Sequence, residues 1–97
     1  MTQLTRRLII SGRVQGVGFR WALCAEAKAR GLTGWVRNRQ DGSVEALLYG
    51  APEAVEVLTA WAFQGPSSAR VDRVLCNDEP NAEAGANPVG FKQRPTF

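Results

Sequence analysis

Hydrophobic positions first cluster in residues 6–12, where Leu8-Ile9-Ile10 form a run too brief for a lone helix and suited to a central strand. The stretch Arg13-Val14-Gln15-Gly16-Val17-Gly18 interrupts it, and over residues 19–30 the small side chains Ala22, Ala25 and Ala29 recur at helical spacing. The pattern predicts a strand, a loop and a helix, with the alanine stripe packed closely on a sheet and Gly31 as the helix stop. A second strand is expected over 33–39 and a third over 43–49, where Val44, Ala46 and Leu48 alternate. Gln40-Asp41-Gly42 between them is a turn signal, so these two form a hairpin. Pro52 and Glu53 mark the start of a second helix with Ala54, Val57, Leu58 and Trp61 on its apolar face. After the break at Gly65-Pro66, residues 69–76 read as a fourth strand and 90–94 as a short closing one. Residues 77–88 read as a polar, proline-bounded loop and are expected to be mobile.

The order βαββαβ predicts an α+β fold: a ferredoxin-like sandwich, with a mostly antiparallel sheet carrying two helices on one face. Residues 1–97 form a single domain on this reading, since a chain of that length supports one core and not two. The first two strands, joined by a helix, run parallel and end at the same edge of the sheet. The glycine loop and Asn38 should therefore be neighbours.

Composition narrows the chemistry. The chain has no histidine, and Cys24 and Cys76 are far apart without Cys-x-x-Cys spacing, so zinc sites and Ser-His-Asp or Cys-His mechanisms lack their parts. The cysteines read as buried free thiols of a reducing compartment. No run approaches the ~20 apolar residues of a membrane span, and Met1-Thr2-Gln3-Leu4 has no signal-peptide core, so a cytoplasmic protein without membrane contact is expected. Residues 1–39 carry a net +7 and the remainder −4. Such asymmetry suits an anionic partner, which could be nucleic acid, a membrane surface or a small phosphorylated molecule, and suits a solvated basic face equally well.

Gly12-Arg13-Val14-Gln15-Gly16-Val17-Gly18-Phe19-Arg20 joins a strand to a helix start. Such a loop can turn backbone N–H groups inward, and with the positive helix end and the planar fork of Arg20 it would hold a tetrahedral dianion. Val14, Gln15, Gly16, Val17, Gly18, Phe19 and Arg20 are thus the candidate phosphate ligands. A cation in the first turn of a helix opposes the dipole, which strengthens the case that Arg20 meets an anion. No Gly-Lys-Ser/Thr follows as in a Walker loop, and Trp21 stands where a dinucleotide fingerprint has its third glycine. The Cys-x5-Arg loop of cysteine-dependent phosphatases would place its nucleophile at Val14, so a covalent phospho-enzyme is not expected and water is the expected nucleophile. Asn38 on its own reads as a turn former ahead of Asp41-Gly42. Arg37 and Arg39 read as solvated charges, and Trp21, Trp35 and Trp61 as packing residues.

Two segments, residues 12–20 and Gly34-Trp35-Val36-Arg37-Asn38-Arg39-Gln40-Asp41-Gly42-Ser43-Val44-Glu45, resemble the signatures of the acylphosphatase family. That family consists of small ferredoxin-like enzymes that hydrolyse the carboxyl-phosphate bond of acyl phosphates. The resemblance covers most of the chain, including Gly65-Pro66 and residues 91–94; residues 77–88 and the tail Pro95-Thr96-Phe97 depart from it. It implies that Arg20 and Asn38 are catalytic, that the substrate is a small-molecule acyl phosphate, and that no metal or cofactor takes part. Inorganic phosphate or sulfate should compete, and a monomer is expected. The chemistry agrees with the missing histidine, because a carboxylate leaves without a general acid and phosphoryl transfer is mostly positioning and charge stabilisation. Asn38, with an acceptor and a donor, can hold the attacking water, whose proton a phosphate oxygen takes. An RNA-binding module is the rival, but it needs aromatics on the central strands, where the first strand offers Leu8, Ile9 and Ile10 and the third only Tyr49. A place within a larger carbamoyl-phosphate-processing assembly is a third reading, against which a chain complete at 97 residues weighs. Nothing outside the phosphate cradle reads as an acyl-group site.

Overall fold

The computed structural model of the chain describes residues 3–79 and 90–96. Along it lie β1 (Leu4–Arg13), α1 (Phe19–Ala29), β2 (Thr33–Asn38), β3 (Val44–Gly50), α2 (Pro52–Ala62), β4 (Arg70–Asp78) and β5 (Phe91–Gln93). The strands form one sheet in the order β4-β1-β3-β2-β5, antiparallel except where β5 runs parallel to β2. This is the ferredoxin-like plan with a short fifth strand on one edge. Because β1 and β2 are both antiparallel to β3, they point the same way and end at the same edge. Both helices cover one face, α1 over β2 and β5, α2 over β1 and β3. Of the loop expected over 77–88, Asn77 and Asp78 belong to β4, and residues 80–89 lie outside the described residues.

The helices bury different faces from those the small-residue spacing suggested. On α1 the buried residues are Phe19, Leu23, Cys24 and Ala27, while Ala25 and Ala29 are exposed. Burying a Leu or Phe side chain contributes roughly 1.5–3 kcal/mol, against about 0.8 for one methylene-sized group. Phe19 and Leu23 therefore set the rotation of the helix, and the alanine stripe follows. On α2 the core face is Val55, Leu58, Thr59 and Ala62, and Val57 is exposed. Trp61 is a packing residue as expected, its ring centroid 5.5 Å from that of Phe19 at a tilt of 56°.

No helix covers the other face of the sheet among the described residues, yet Trp35 and Leu47 are buried there. The guanidinium groups of Arg37, Arg94 and Arg7 lie 4.6, 5.0 and 5.9 Å from the centre of the Trp35 ring. Glu45, also buried, accepts from Arg37 at 2.9 Å and from Arg7. Arg37 does point away from Asn38, but it is not the solvated charge expected from alternation: its cross-strand neighbour is Glu45, and Trp35 lies two residues back on the same side. The indole is thereby capped and offers no open stacking platform. Elsewhere Arg6 meets Asp78 at 2.6 Å and Glu56 at 3.2 Å. Arg6, Arg7 and Arg37 of the basic first half are matched in this way by acids of the second. Cys24 and Cys76 are free thiols, the first buried, the second exposed, contrary to expectation, because β4 is an edge strand. No helix among the described residues is long and apolar enough to cross a membrane.

Candidate active site

The loop after β1 is shaped by its glycines. A bulge at Ser11/Gly12 shifts the register of β1 against β4 where the strand ends. Gly16 and Gly18 then adopt φ of 75° and 79°, a left-handed backbone that a side chain would strain. Gly18 is the N-cap of α1, with no side-chain cap and no acid in the first turn. Among the described residues, no backbone carbonyl accepts from the N–H groups of residues 15–18. The loop donors and the positive end of the helix thus lie together without a backbone acceptor. Val14 and Phe19, each 1% exposed, pin the two ends of the loop in the core.

Asn38 ends β2 opposite Val44, and the turn that follows is tightly bonded. Arg39 N–H donates to the Ser43 carbonyl at 2.8 Å and Gly42 N–H to the Arg39 carbonyl at 3.1 Å. The Ser43 hydroxyl and backbone N–H donate to Asp41 Oδ1 at 2.6 and 2.9 Å, which holds the Asp41 carboxyl below its ordinary range. Gln15 reaches across from the glycine loop: its Nε2 donates to the carbonyls of Arg39 at 2.7 Å and Ser43 at 2.9 Å. Its side chain is a strut between the loop and the turn beside Asn38, a role invisible while it counted only as a backbone ligand. Replacing Gln15 by Leu removes both donors at similar volume. Stability should fall by about 1–3 kcal/mol for two lost hydrogen bonds and kcat by about tenfold as the halves of the site loosen. Chemical denaturation and steady-state kinetics on the same preparation check this.

A cavity of about 100 Å³ opens where these parts meet, lined by Val14, Gly16, Gly18, Phe19, Arg20, Trp21, Asn38 and Gln93. Of the residues expected to hold phosphate, Val14, Gly16, Gly18, Phe19 and Arg20 line it together with Asn38. Gln15 and Val17 belong to the loop but not to the lining; the Val17 carbonyl accepts from Ser68 Oγ at 3.0 Å. Among the described residues Arg20 has no ion pair or hydrogen bond to another side chain, and Asn38 Oδ1 is buried with no donor. Trp21, expected in packing, is instead 70% exposed at the cavity mouth. Gln93 arrives through β5, where it sits opposite Val36, and the Arg94 N–H donates to the Val36 carbonyl at 2.8 Å. Only the parallel pairing of β5 with β2 brings it there, and no local signal in the sequence announces it. No group of three or more His, Cys, Asp or Glu side chains suited to hold a metal ion occurs among the described residues.

Fold and cavity together define a small ferredoxin-like protein with a cavity at the start of its first helix, lined by an arginine and an asparagine. The acylphosphatase family pattern matches residues 6–92. An acylphosphatase from Thermococcus kodakarensis is 52% identical over 93% of this chain and all of its own length. One from Acidovorax sp. is 50% identical over 96% of this chain and 92% of that protein. The crystal structure of acylphosphatase from Bacillus subtilis superposes with a TM-score of 0.87 at 35% identity, covering 94% of this chain and 98% of that one. The chain belongs to the acylphosphatase family. It is an enzyme that hydrolyses the carboxyl-phosphate bond of acyl phosphates, releasing a carboxylate and inorganic phosphate.

Proposed function

We propose that the phosphate of the substrate sits against the 14–19 loop and Arg20, and that Asn38 holds the attacking water. The observation that carries this reading is the buried Oδ1 of Asn38, which lacks a donor in a cavity shared with an unpaired arginine. A buried acceptor left unmet costs roughly 1–3 kcal/mol, and the O–H of a water in that cavity supplies what is missing. Arg20 and the free N–H groups neutralise the dianion and the charge that spreads over its equatorial oxygens. Water attacks phosphorus, the phosphorus–oxygen bond to the carboxylate breaks, and the bonding pair leaves with the carboxylate. The water proton passes to a phosphate oxygen. A carboxylate needs no protonation to leave, so the reaction proceeds without a general acid, a metal or a cofactor.

The test is turnover of an aryl acyl phosphate with and without EDTA, and with inorganic phosphate or sulfate added. Unchanged turnover in EDTA and competitive inhibition by both anions are expected, with little hydrolysis of an alkyl phosphate ester. Loss of activity in EDTA, or an anion that inhibits without competing, would overturn the reading. We further propose that the enzyme acts in the cytoplasm as a monomer on a small molecule and not on nucleic acid. The free Cys24 and Cys76 and the capped face of Trp35 support this.

A further inference from the structure

The cavity has a closed floor and an open mouth, and the two suit different ends of the substrate. Val14 and Phe19 close it below, Arg20 and Asn38 supply its polar groups, and Gly16, Gly18, Trp21 and Gln93 are exposed around the opening. A phosphate lodged among the loop donors uses up the floor. In-line displacement sets the leaving carboxylate across phosphorus from the attacking water, so the acyl group is directed away from Asn38 and out through the mouth. Two of the four mouth residues are glycines and one is a carboxamide. Trp21 is the only large apolar side chain there.

Single exposed apolar residues are ordinary on a protein surface. Val57, Phe63 and Leu75 are also exposed, but none of them lines this cavity. Trp21 differs because it is one residue beyond Arg20 on the first turn of α1, held by the same helix that carries the arginine. Trp21 lines the cavity while 70% exposed, whereas Phe19 on the same turn is spent in the core against Trp61.

We propose that Trp21 is the acyl-group platform, stacking on the planar carbonyl substituent of the substrate, so that the enzyme favours acyl phosphates with an aromatic acyl group over those with a small aliphatic one. The inference rests on the reading that phosphate sits at Arg20, and adds to it the chemical class of the other half of the substrate. Stacking on an indole is selective for flat, polarisable groups and indifferent to their hydrogen bonding, so it discriminates benzoyl from acetyl without further contacts.

The experiment compares the whole chain with its Trp21→Ala and Trp21→Phe variants on benzoyl phosphate and acetyl phosphate, with circular dichroism as the check on folding. In Trp21→Ala the ratio of kcat/KM for benzoyl to acetyl phosphate should fall about tenfold, carried by KM for the benzoyl compound. Trp21→Phe, which keeps a ring, should retain most of the ratio. A ratio unchanged in Trp21→Ala overturns the proposal, as does a Phe variant that loses as much as the Ala variant. Failure of the underlying phosphate reading has a separate signature: inorganic phosphate would not compete with either substrate, whatever the ratio does.

Discussion

Replacing Arg20 by Gln should lower kcat/KM by roughly 2 kcal/mol or more, about thirtyfold, while the fold becomes no less stable. The two halves of that expectation have separate causes. Arg20 has no protein partner among the described side chains, so its removal breaks no ion pair. It also stands in the first turn of α1, where a cation opposes the helix dipole at a cost of about 0.3–1 kcal/mol, and a neutral residue relieves that. On the proposed binding mode, what the variant loses is the planar, charged fork facing the phosphate. Affinity for inorganic phosphate should fall together with turnover. Lys should restore only part of both, since a point charge does not reproduce two parallel donors. Paired measurements of phosphate inhibition and thermal unfolding decide the matter, and near-normal KM and kcat would remove Arg20 from the site.

Asn38→Ala should behave differently. The glycine loop, Arg20 and the strut from Gln15 to the turn carbonyls all remain, so phosphate should bind with similar affinity. Turnover should fall on the order of a hundredfold or more, because the water is no longer held in line. The alanine also removes a buried oxygen that had no partner, so the fold should survive. Asn38→Asp should fail as well, since a carboxylate loses the amide donor and adds negative charge beside a dianion. Phosphate affinity and kcat measured separately in both variants test the role. Phosphate binding weakened in proportion to activity, or unchanged turnover, would refute it.

The backbone plan was readable in the sequence because its signals are local. Gly16 and Gly18 announce a loop of left-handed backbone, Asp41-Gly42 announces the hairpin turn, and Pro52 opens a helix. The neighbourhood of Asn38 and the loop followed from one topological rule, that strands joined by a helix crossover run parallel. Side-chain environments were less legible, since they depend on what another element brings. The alanine spacing of α1 and the Phe19-Leu23 spacing are both helical, and only the sheet beneath the helix chooses between them. Arg37 alternates away from Asn38 as expected, yet its burial comes from Trp35 and from Glu45 on the next strand. Trp21 has the composition of a core residue, and the turn position that puts it at the cavity mouth depends on Phe19 entering the core two residues earlier.

The two strands whose ends carry Arg20's loop and Asn38 do not touch: β3 lies between them. Every residue that lines the cavity except Gln93 precedes β3 along the chain, yet their alignment depends on a ladder that pairs Leu4 with Gly50 and Asn38 with Val44. A nascent chain therefore possesses almost the whole lining of this cavity before it possesses the strand that aligns it. Such non-local pairing is the slow part of folding, since the intervening loop must be closed before any contact rewards it. The cavity is accordingly a property of the assembled sheet: a chain with its first helix and its β2-β3 hairpin alone would lack it until β1 had zipped onto β3.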